Sequence, residues 1–320
     1  MKLTIINDAV FPRFPDEQLE MLNKEAPDLI VDFVRADTVG VADLIDSEIV
    51  FGWAPPRFLK DLPNLKWLHL PSAGANAFTD ASLYANPSVI LTKSSGTFGI
   101  PISEYVLGTM IALSRNFTGY YKSQQEGSWN RGEKEALEVF GSNVLVLGLG
   151  NIGSEVCTRL MGFSCRITGF RRDPSVPHEL VSDVRSLSKL RDCLPNADYI
   201  IICLPGTAET GKLIGREELD LMKNSAILIN IGRGSVIDTD ALVEALNNKK
   251  IAGAGLDVTD PEPLPAGHPL WSASNAIITP HVSASSPGNS QRRLSIFIDL
   301  LKRYRSGLHM FNEVDLSAGY

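Results

Sequence analysis

Residues 144–147 form a short apolar run, Val-Leu-Val-Leu, which leads directly into three spaced glycines and an amphipathic segment that reaches about Gly162. This order predicts a buried strand, a tight turn and a helix. In dinucleotide-binding α/β domains the first glycine permits the turn, the second lets the backbone approach a pyrophosphate, and the third lets helix and strand pack closely. Gly148, Gly150 and Gly153 fit these three positions, so the chain is predicted to bind a dinucleotide.

The start of the predicted helix completes this phosphate site. Backbone N–H groups at a helix N-terminus attract negative charge, and here they include those of Asn151 and Ile152. Leu204, Pro205 and Ile231 lie at the ends of neighbouring predicted strands and are expected to border the same cofactor. The alternative is a glycine-rich turn without a ligand, but the strand and helix on either side of it favour the cofactor.

The residues after the second strand of this unit distinguish the two nicotinamide cofactors. An acidic side chain there suits the free ribose hydroxyls of NAD, whereas guanidinium groups suit the 2′-phosphate of NADP. The predicted strand 167–170 is followed by Arg171 and Arg172, which favours NADP. NAD is the alternative, because Asp173 would take the acidic role if the strand ran two residues further. A solvated basic turn with no cofactor role is the third interpretation.

Short β-branched runs alternate with longer amphipathic stretches along the chain, which is typical of parallel sheets with helical crossovers. The fold class is therefore predicted to be α/β. The first third contains candidate strands and helices in the order 3–6, helix 17–25, 29–34, helix 39–45, 49–52, 67–70 and 89–92. A second series contains candidate strands at 143–147, 167–170, 199–204, 226–231, 254–258 and 276–278.

Two further helices are predicted from apolar residues at helical spacing. Residues 102–121 contain no interior proline and are predicted to form one long helix that bridges the two series. Residues 291–304 form a final amphipathic segment that is too short to be a domain alone. We expect this segment to pack on the first α/β unit.

The 320 residues, 44% of them hydrophobic, allow two compact domains. The net charge is −7 with both signs interspersed, which argues against a nucleic-acid partner. The four cysteines lack Cys-x-x-Cys spacing and accompanying histidines, so we predict reduced thiols and no metal site. The longest apolar runs are about a third of the ~20 residues that a membrane span requires, and Asp8 interrupts any signal-peptide core. A cytoplasmic protein without a membrane partner is predicted.

Three segments with chemically capable side chains follow predicted strands of the second series. They read Asn-Ile-Gly-Arg-Gly at 230–234, Gly-Leu-Asp-Val at 255–258 with Pro-Glu-Pro at 261–263, and Thr-Pro-His at 279–281. The carboxyl ends of parallel strands share one edge of the sheet. The three segments are therefore predicted to converge beside the dinucleotide.

Arg233, Glu262 and His281 form a chemically complete set for reducing a keto acid. That reaction needs a cation for the carboxylate, a proton donor for the developing alkoxide, and a group that orients the donor and favours its protonated form. Arginine offers a planar fork, histidine a titratable acid and glutamate the orienting carboxylate. Each residue alone also has a simpler interpretation, as a surface ion pair, a loop charge and a satisfied polar residue respectively.

These segments resemble the D-isomer specific 2-hydroxyacid dehydrogenases, a family that includes glyoxylate/hydroxypyruvate reductases, D-lactate dehydrogenases and phosphoglycerate dehydrogenases. The family's strand, Asn, Arg-Gly and acidic helix are similar to residues 230–242. Its Gly-Leu-Asp-Val, Pro-Glu-Pro, His-Pro-Leu-Trp and Thr-Pro-His segments are similar to residues 255–281 almost throughout. The resemblance extends over most of the chain.

The resemblance implies roles for individual residues. Arg233 would bind the substrate, Glu262 and His281 would form the catalytic dyad, and Asp257 would contact the nicotinamide. His281 would border both cofactor and substrate.

The resemblance also implies the domain arrangement. Residues 1–98 and 283–320 would form a flavodoxin-like substrate domain, and residues 99–282 a Rossmann domain that binds NAD(P). Both would be doubly wound parallel sheets. The helix from Ile102 resembles the family's dimer-forming helix, so a homodimer is expected, although this chain has Tyr105 where many members have histidine.

The family's substrate loop corresponds to Ser72, Ala73 and Gly74, whose backbone N–H groups would cradle the substrate carboxylate. The resemblance therefore implies an NAD(P)-dependent enzyme that reduces a small 2-keto acid, with glyoxylate and hydroxypyruvate as the leading candidates and NADP as the favoured cofactor. Formate dehydrogenases share the architecture but carry glutamine where this chain has Glu262. A corepressor-like scaffold that senses dinucleotides is the alternative from a different class, although such proteins carry long disordered tails.

Overall fold

A computed structural model describes residues 1–130 and 136–316. The chain divides into two compact units, Met1–Phe98 with Ser286–Tyr320, and Gly99–Ser285. The assignment of the first unit to the substrate and of the second to the cofactor stays a prediction.

Strands and helices alternate along both units, as the α/β prediction requires. The strands are β1 (Lys2–Asn7), β2 (Ile30–Arg35), β3 (Ile49–Phe51), β4 (Trp67–Leu70), β5 (Ile90–Lys93), β6 (Asn143–Leu147), β7 (Arg166–Phe170), β8 (Asp183–Arg185), β9 (Tyr199–Ile202), β10 (Ile227–Asn230), β11 (Gly253–Leu256) and β12 (Ala276–Ile278). The α-helices are α1 (Asp16–Glu25), α2 (Val41–Leu44), α3 (Gly99–Ser114), α4 (Phe117–Gln125), α5 (Asn151–Leu160), α6 (Leu190–Cys193), α7 (Arg216–Leu221), α8 (Thr239–Asn247) and α9 (Asn289–Arg305).

The first unit is a parallel five-stranded sheet in the order β2-β1-β3-β4-β5. This is the strand order of flavodoxin-like folds, so the predicted fold class is confirmed for this unit. Helix α9 packs on the sheet because its apolar face enters the core. The ring of Phe297 stacks on Phe51 at 4.7 Å and on Trp67 at 5.0 Å between centroids.

A buried polar network connects the ends of β4 and β5. The His69 side chain is fully buried and bonds through Nδ1 to Thr92 Oγ1 at 2.7 Å and through Nε2 to Ser94 Oγ at 3.0 Å. Ser94 Oγ donates to the carbonyl of Leu70, so it accepts the proton on Nε2. Burial lowers the pKa of His69 from 6.5 to about 3, which makes it a neutral structural residue.

We expect this buried histidine to make the stability of the first unit depend on pH. The unfolded chain binds a proton at His69 below pH 6.5 and the folded chain does not, so folding stability falls as the pH falls from 6.5 towards 3. Between pH 7 and pH 5 the free energy of unfolding should drop by about 2 kcal/mol through this site. Urea unfolding followed by tryptophan fluorescence measures the drop.

His69→Gln should be less stable at pH 7 and should lose less free energy between pH 7 and pH 5 than the wild-type protein. His309→Gln is the matched control, because the His309 side chain is 84% exposed. Equal pH-dependent losses in the wild-type protein and His69→Gln would contradict the prediction.

The second unit is a parallel seven-stranded sheet in the order β12-β11-β10-β9-β6-β7-β8. The strand order reverses between β6 and β9, which is the switch point where doubly wound sheets bind ligands. The central strands are apolar because both of their faces are buried. Every residue of β9 and β10 is buried.

One expectation about this unit is wrong, and one of its strands has no counterpart among the expected strands. The long helix predicted over 102–121 is two helices, because Asn116 adopts φ +54° and separates α3 from α4. Asparagine tolerates this left-handed conformation better than most residues, so a helical pattern of apolar residues continues across a real break. Strand β8 was not predicted, because its three residues are Asp-Val-Arg and carry no apolar alternation.

The four cysteines are free thiols, two buried and two half-buried. Over residues 1–130 and 136–316, no helix combines the length and the apolar character needed to cross a membrane.

Candidate active site

The three neighbouring strands β10, β11 and β12 carry the predicted catalytic residues on the loops that follow them. Arg233 lies three residues after β10, Glu262 lies in the loop after β11, and His281 lies three residues after β12. All three strands are parallel, so their loops leave the same edge of the sheet. The sheet therefore brings Arg233, Glu262 and His281 to one edge of the second unit.

His281 and Glu262 form a direct hydrogen bond. Nδ1 of the imidazole lies 2.6 Å from Oε1 of the carboxylate, and both side chains are nearly half exposed. A carboxylate at that distance accepts the Nδ1 proton, which fixes the ring orientation and leaves Nε2 directed elsewhere. Nε2 is the atom available to exchange a proton with a substrate.

The loop that carries His281 is held by its backbone. His281 adopts φ +54°, a conformation that non-glycine residues rarely adopt and that the surrounding structure must support. The His281 N–H donates to the carbonyls of Asp257 at 2.9 Å and Thr279 at 3.0 Å. The buried Asp257 carboxylate accepts the N–H groups of Val282 at 2.8 Å and Ser283 at 2.9 Å.

A chain of hydroxyl groups extends this support into α3. The hydroxyl of Thr279 lies 2.6 Å from Asp257 Oδ1 and 2.8 Å from the phenol oxygen of Tyr105. Because Thr279 donates its only proton to the carboxylate, Tyr105 donates to Thr279. Burial raises the pKa of Tyr105, which keeps that proton in place. Tyr105 thus contacts the loop of His281, while the contact of Asp257 with nicotinamide stays a prediction.

Arg233 lies on a loop that Asn230 clamps. The buried Asn230 amide donates to the Arg233 carbonyl at 2.9 Å and accepts the Gly232 N–H at 3.0 Å. The exposed Arg233 guanidinium donates through Nη1 to the Gly232 carbonyl at 2.8 Å. Among the described residues its guanidinium forms no ion pair, so its charge is available to an external carboxylate.

The glycine fingerprint runs from the turn after β6 into the first turn of α5, as predicted. Gly148 has φ +105°, and a Cβ there would lie 2.9 Å from the carbonyl oxygen of Cys203. A Cβ at Gly153 would lie 2.0 Å from the Gly148 oxygen, whereas Gly150 faces open space. The first hydrogen bond of α5 runs from Ser154 to Gly150, so earlier N–H groups, including those of Asn151 and Ile152, point to that space. The fingerprint fits a pyrophosphate.

The other predicted cofactor residues follow neighbouring strands of the same edge. Leu204 and Ile231 are 8% and 6% exposed, and Pro205 is exposed. Their contacts with a cofactor stay predictions.

Strand β7 ends at Phe170, so the arginine pair follows the strand end directly. Arg171 Nη1 donates to the carbonyl of Val176 at 3.2 Å. The Asp173 carboxylate accepts the N–H and the hydroxyl of Ser175, at 3.0 and 2.6 Å, within its own turn. Strand β7 therefore does not run two residues further. The Asp173 carboxylate, which the NAD alternative requires, already accepts hydrogen bonds within its own turn.

The predicted substrate loop lies at the carboxyl end of β4 in the first unit. Ser72 Oγ donates to the Gly74 carbonyl at 2.7 Å and accepts a long hydrogen bond of 3.3 Å from Trp53 Nε1. Among the described residues, no protein acceptor takes the N–H groups of Ser72, Ala73 or Gly74. The loop is half-buried and can offer these donors to an anion.

Sequence reasoning assigned no role to Asn230 or Thr279. Both lie within the segments that carry the predicted catalytic residues. A polar residue at the end of an apolar strand is the sequence feature that could have indicated their structural roles. Within the described residues, no group of three or more histidine, cysteine or acidic side chains is placed to hold a metal ion.

Residues 107–283 match the family model described as D-isomer specific 2-hydroxyacid dehydrogenase, NAD binding domain. The glyoxylate/hydroxypyruvate reductase B of Pectobacterium carotovorum subsp. carotovorum is 36% identical over 233 residues, which cover 72% of this chain and 72% of the relative. A glyoxylate/hydroxypyruvate reductase of Arabidopsis thaliana, HPR3, is 28% identical and covers 93% of each chain.

A solved structure is also similar over nearly the whole chain. The D-isomer specific 2-hydroxyacid dehydrogenase of Xanthobacter autotrophicus Py2, solved with NADPH and MES, superposes with a TM-score of 0.81. It is 27% identical and covers 99% of both chains.

Proposed function

The chain belongs to the D-isomer specific 2-hydroxyacid dehydrogenase family, and we propose that it reduces glyoxylate, hydroxypyruvate or a similarly short 2-keto acid with NADPH. Members of this family are NAD(P)-dependent oxidoreductases that act on 2-hydroxy acids, and so is this chain. The hydrogen bond between His281 and Glu262, on the same sheet edge as the glycine fingerprint, is the observation that carries the proposal.

His281 exchanges the proton of the reaction, and Glu262 orients its ring. A bound nicotinamide dinucleotide supplies the hydride. Because Glu262 accepts the Nδ1 proton, a protonated His281 presents the proton on Nε2 to the carbonyl oxygen of the keto acid. The same imidazole, once neutral, accepts the hydroxyl proton in the reverse direction. Nε2 of His281 is therefore the atom that gives the proton during reduction and takes it back during oxidation.

Arg233 and the substrate loop bind the carboxylate of the keto acid in this proposal. The guanidinium fork supplies two parallel donors and a full positive charge. The N–H groups of Ser72, Ala73 and Gly74 supply neutral donors that need no reorganisation.

The cofactor assignment rests on the end of β7. The fingerprint residues Gly148, Gly150 and Gly153 would hold the pyrophosphate, and Arg171 with Arg172 would bind the 2′-phosphate of NADP. The neighbouring positions Leu204, Pro205 and Ile231 would line the remainder of the dinucleotide, with Asp257 and His281 at the nicotinamide. The relative from Xanthobacter autotrophicus was solved with NADPH, which supports this choice.

Replacing both arginines tests the cofactor assignment. Arg171→Ala combined with Arg172→Ala should lower kcat/KM for NADPH by about 100-fold, because two charge-assisted contacts are lost, and should leave the value for NADH within about three-fold. Arg166→Ala is the matched control, since Arg166 is an exposed arginine at the other end of β7. An unchanged preference for NADPH in the double variant would refute the assignment.

The substrate proposal is tested by initial rates of NADPH and NADH oxidation with glyoxylate, hydroxypyruvate, pyruvate and phenylpyruvate. The highest kcat/KM is expected with NADPH and one of the two smallest polar acids. Tight dinucleotide binding without turnover of any acid would favour a corepressor-like scaffold. That alternative is not favoured, because the curated relatives are reductases.

We also propose a cytoplasmic homodimer. A groove of about 640 Å³ beside α3 and α4 is bordered by apolar side chains. Phe117 and Phe140 there are 53% and 68% exposed, so a second copy of the chain could cover two aromatic side chains in one place. Sedimentation should give about twice 34.9 kDa, and a monomeric mass would refute the dimer.

Free cysteines support the cytoplasmic location, which cell fractionation tests.

A further inference from the structure

Arg293 on α9 is a buried cation in the first unit with no role in the proposed reaction. Its side chain is 6% exposed and lies over the rings of Phe98 at 5.2 Å and Phe11 at 5.5 Å. Burial lowers the pKa of its guanidinium, and Asp8 acts on it only through space. Among the described residues no carboxylate pairs with Arg293, so a positive charge is buried at the carboxyl edge of the sheet without a contacting anion.

The hydrogen bonds of Arg293 go to the loops that end two strands. Nε donates to the carbonyl of Pro71 at 3.0 Å, and Nη1 makes a long contact of 3.5 Å with the carbonyl of Val10. Val10 belongs to the turn after β1, where its N–H and that of Phe11 both donate to Asp8 Oδ1 at 2.7 Å. Pro71 is the first residue of the segment that leads into Ser72, Ala73 and Gly74. Arg293 therefore links these two loops.

The bond to Pro71 sets the direction of the next N–H. The peptide between Pro71 and Ser72 is trans, so its C=O and N–H point to opposite sides. Because the carbonyl points to Arg293, the Ser72 N–H points away from it, and no described protein group accepts that N–H. A cation on the carbonyl side also polarises the peptide and strengthens the N–H as a donor.

We propose that Arg293 is a positioning residue that aims and strengthens the Ser72 N–H for the carboxylate of the keto acid. The inference rests on the proposed binding of that carboxylate by residues 72–74. The buried charge of Arg293 and the charge of the substrate lie on opposite sides of one peptide group. Substrate binding thereby supplies the anion that this buried cation lacks.

The test compares Arg293→Gln and Arg293→Lys with a matched control on the same helix. Arg303 also donates to a backbone carbonyl, that of His309 at 3.0 Å, and lies 5.5 Å from the ring of Phe311. Arg303→Gln therefore removes the same kinds of contact away from the loop. In Arg293→Gln we expect KM for the keto acid and Kd for oxalate, a carboxylate probe, to rise roughly 10- to 100-fold, the usual range for a charge-assisted hydrogen bond.

The same variant should keep kcat within about three-fold and an unchanged Kd for NADPH, because Arg293 touches neither the dyad nor the fingerprint. Added guanidinium ion should lower the raised KM. Arg293→Lys keeps the charge and loses the planar fork, so its KM for the keto acid and its Kd for oxalate should lie between those of the wild-type protein and Arg293→Gln. If Arg293→Gln does not fold, Arg293→Lys provides the test.

A wild-type KM and oxalate affinity in the Arg293 variants would overturn the inference, as would an equal loss in Arg303→Gln. These outcomes are distinct from failure of the proposed function. In that case the wild-type protein itself would not turn over any keto acid.

Discussion

Arg233→Lys is expected to lower kcat/KM for the best keto acid by about 100-fold, and Arg233→Ala by about 1,000-fold or more. Lysine keeps the positive charge but has no planar fork, so the difference between the two variants separates charge from bidentate geometry. Both KM and kcat should be affected, because the proposed contact binds the carboxylate in the ground state and also orients the keto acid for reduction. Steady-state rates with NADPH at saturation measure both constants.

Two observations distinguish a loss of substrate binding in these variants from a loss of folded structure. The Arg233 side chain is exposed, and the loop around it is clamped by Asn230, so the substitutions should leave the melting temperature unchanged. Arg216→Ala removes another exposed guanidinium of the same unit, one that pairs with Glu244, and should leave the rates unchanged. If Arg233→Ala kept kcat/KM within a few-fold of the wild-type value, the role of Arg233 would be wrong.

The sequence predicted the fold class, and it also predicted that the proposed catalytic residues share one edge of a sheet, for a simple physical reason. Each proposed catalytic side chain lies on the loop that follows a strand, and the loops after parallel strands leave the sheet at one edge. Once the strands ending at Asn230, Leu256 and Ile278 are recognised from their apolar residues, Arg233 and His281 must lie on the same side of the sheet. The His281–Glu262 hydrogen bond is a short-range consequence of this arrangement.

Local conformations at single residues were harder to predict. The break at Asn116 costs little energy and leaves the spacing of apolar residues intact on both sides, so the pattern for 102–121 looked continuous. Within residues 1–130 and 136–316, strand β8 pairs only with β7 and its three residues are half-buried, so its place is decided by its neighbour and not by its own sequence.

Long-range polar contacts carried no sequence signal at all. Tyr105 and Thr279 lie 174 residues apart, and Arg293 and Pro71 lie 222 apart. Nothing in an isolated tyrosine or arginine indicates which loop it will hold. Such contacts depend on how the completed sheets and helices pack, and they only become visible in the structure.

His281→Asn is expected to lower kcat by about 1,000-fold, because the substitution removes the proposed proton donor and general acid catalysis typically contributes 100- to 10,000-fold. Glu262→Gln should lower kcat by about 10- to 100-fold, because the ring loses its orienting carboxylate but retains its proton-exchanging Nε2. NADPH binding should remain near the wild-type affinity in Glu262→Gln, because no cofactor contact is proposed for Glu262.

The double variant distinguishes a dyad from two independent residues. If Glu262 acts through His281, removing it from a chain that already lacks His281 should cost almost nothing, so the double variant should match His281→Asn. His309 and Glu313 provide the matched control, since they form another exposed histidine–glutamate pair, at 3.7 Å, in the first unit. Removing that pair should leave kcat unchanged. Losses that multiply in the His281 and Glu262 double variant would mean that the two side chains act separately, and Glu262 would then need a contact of its own with the substrate.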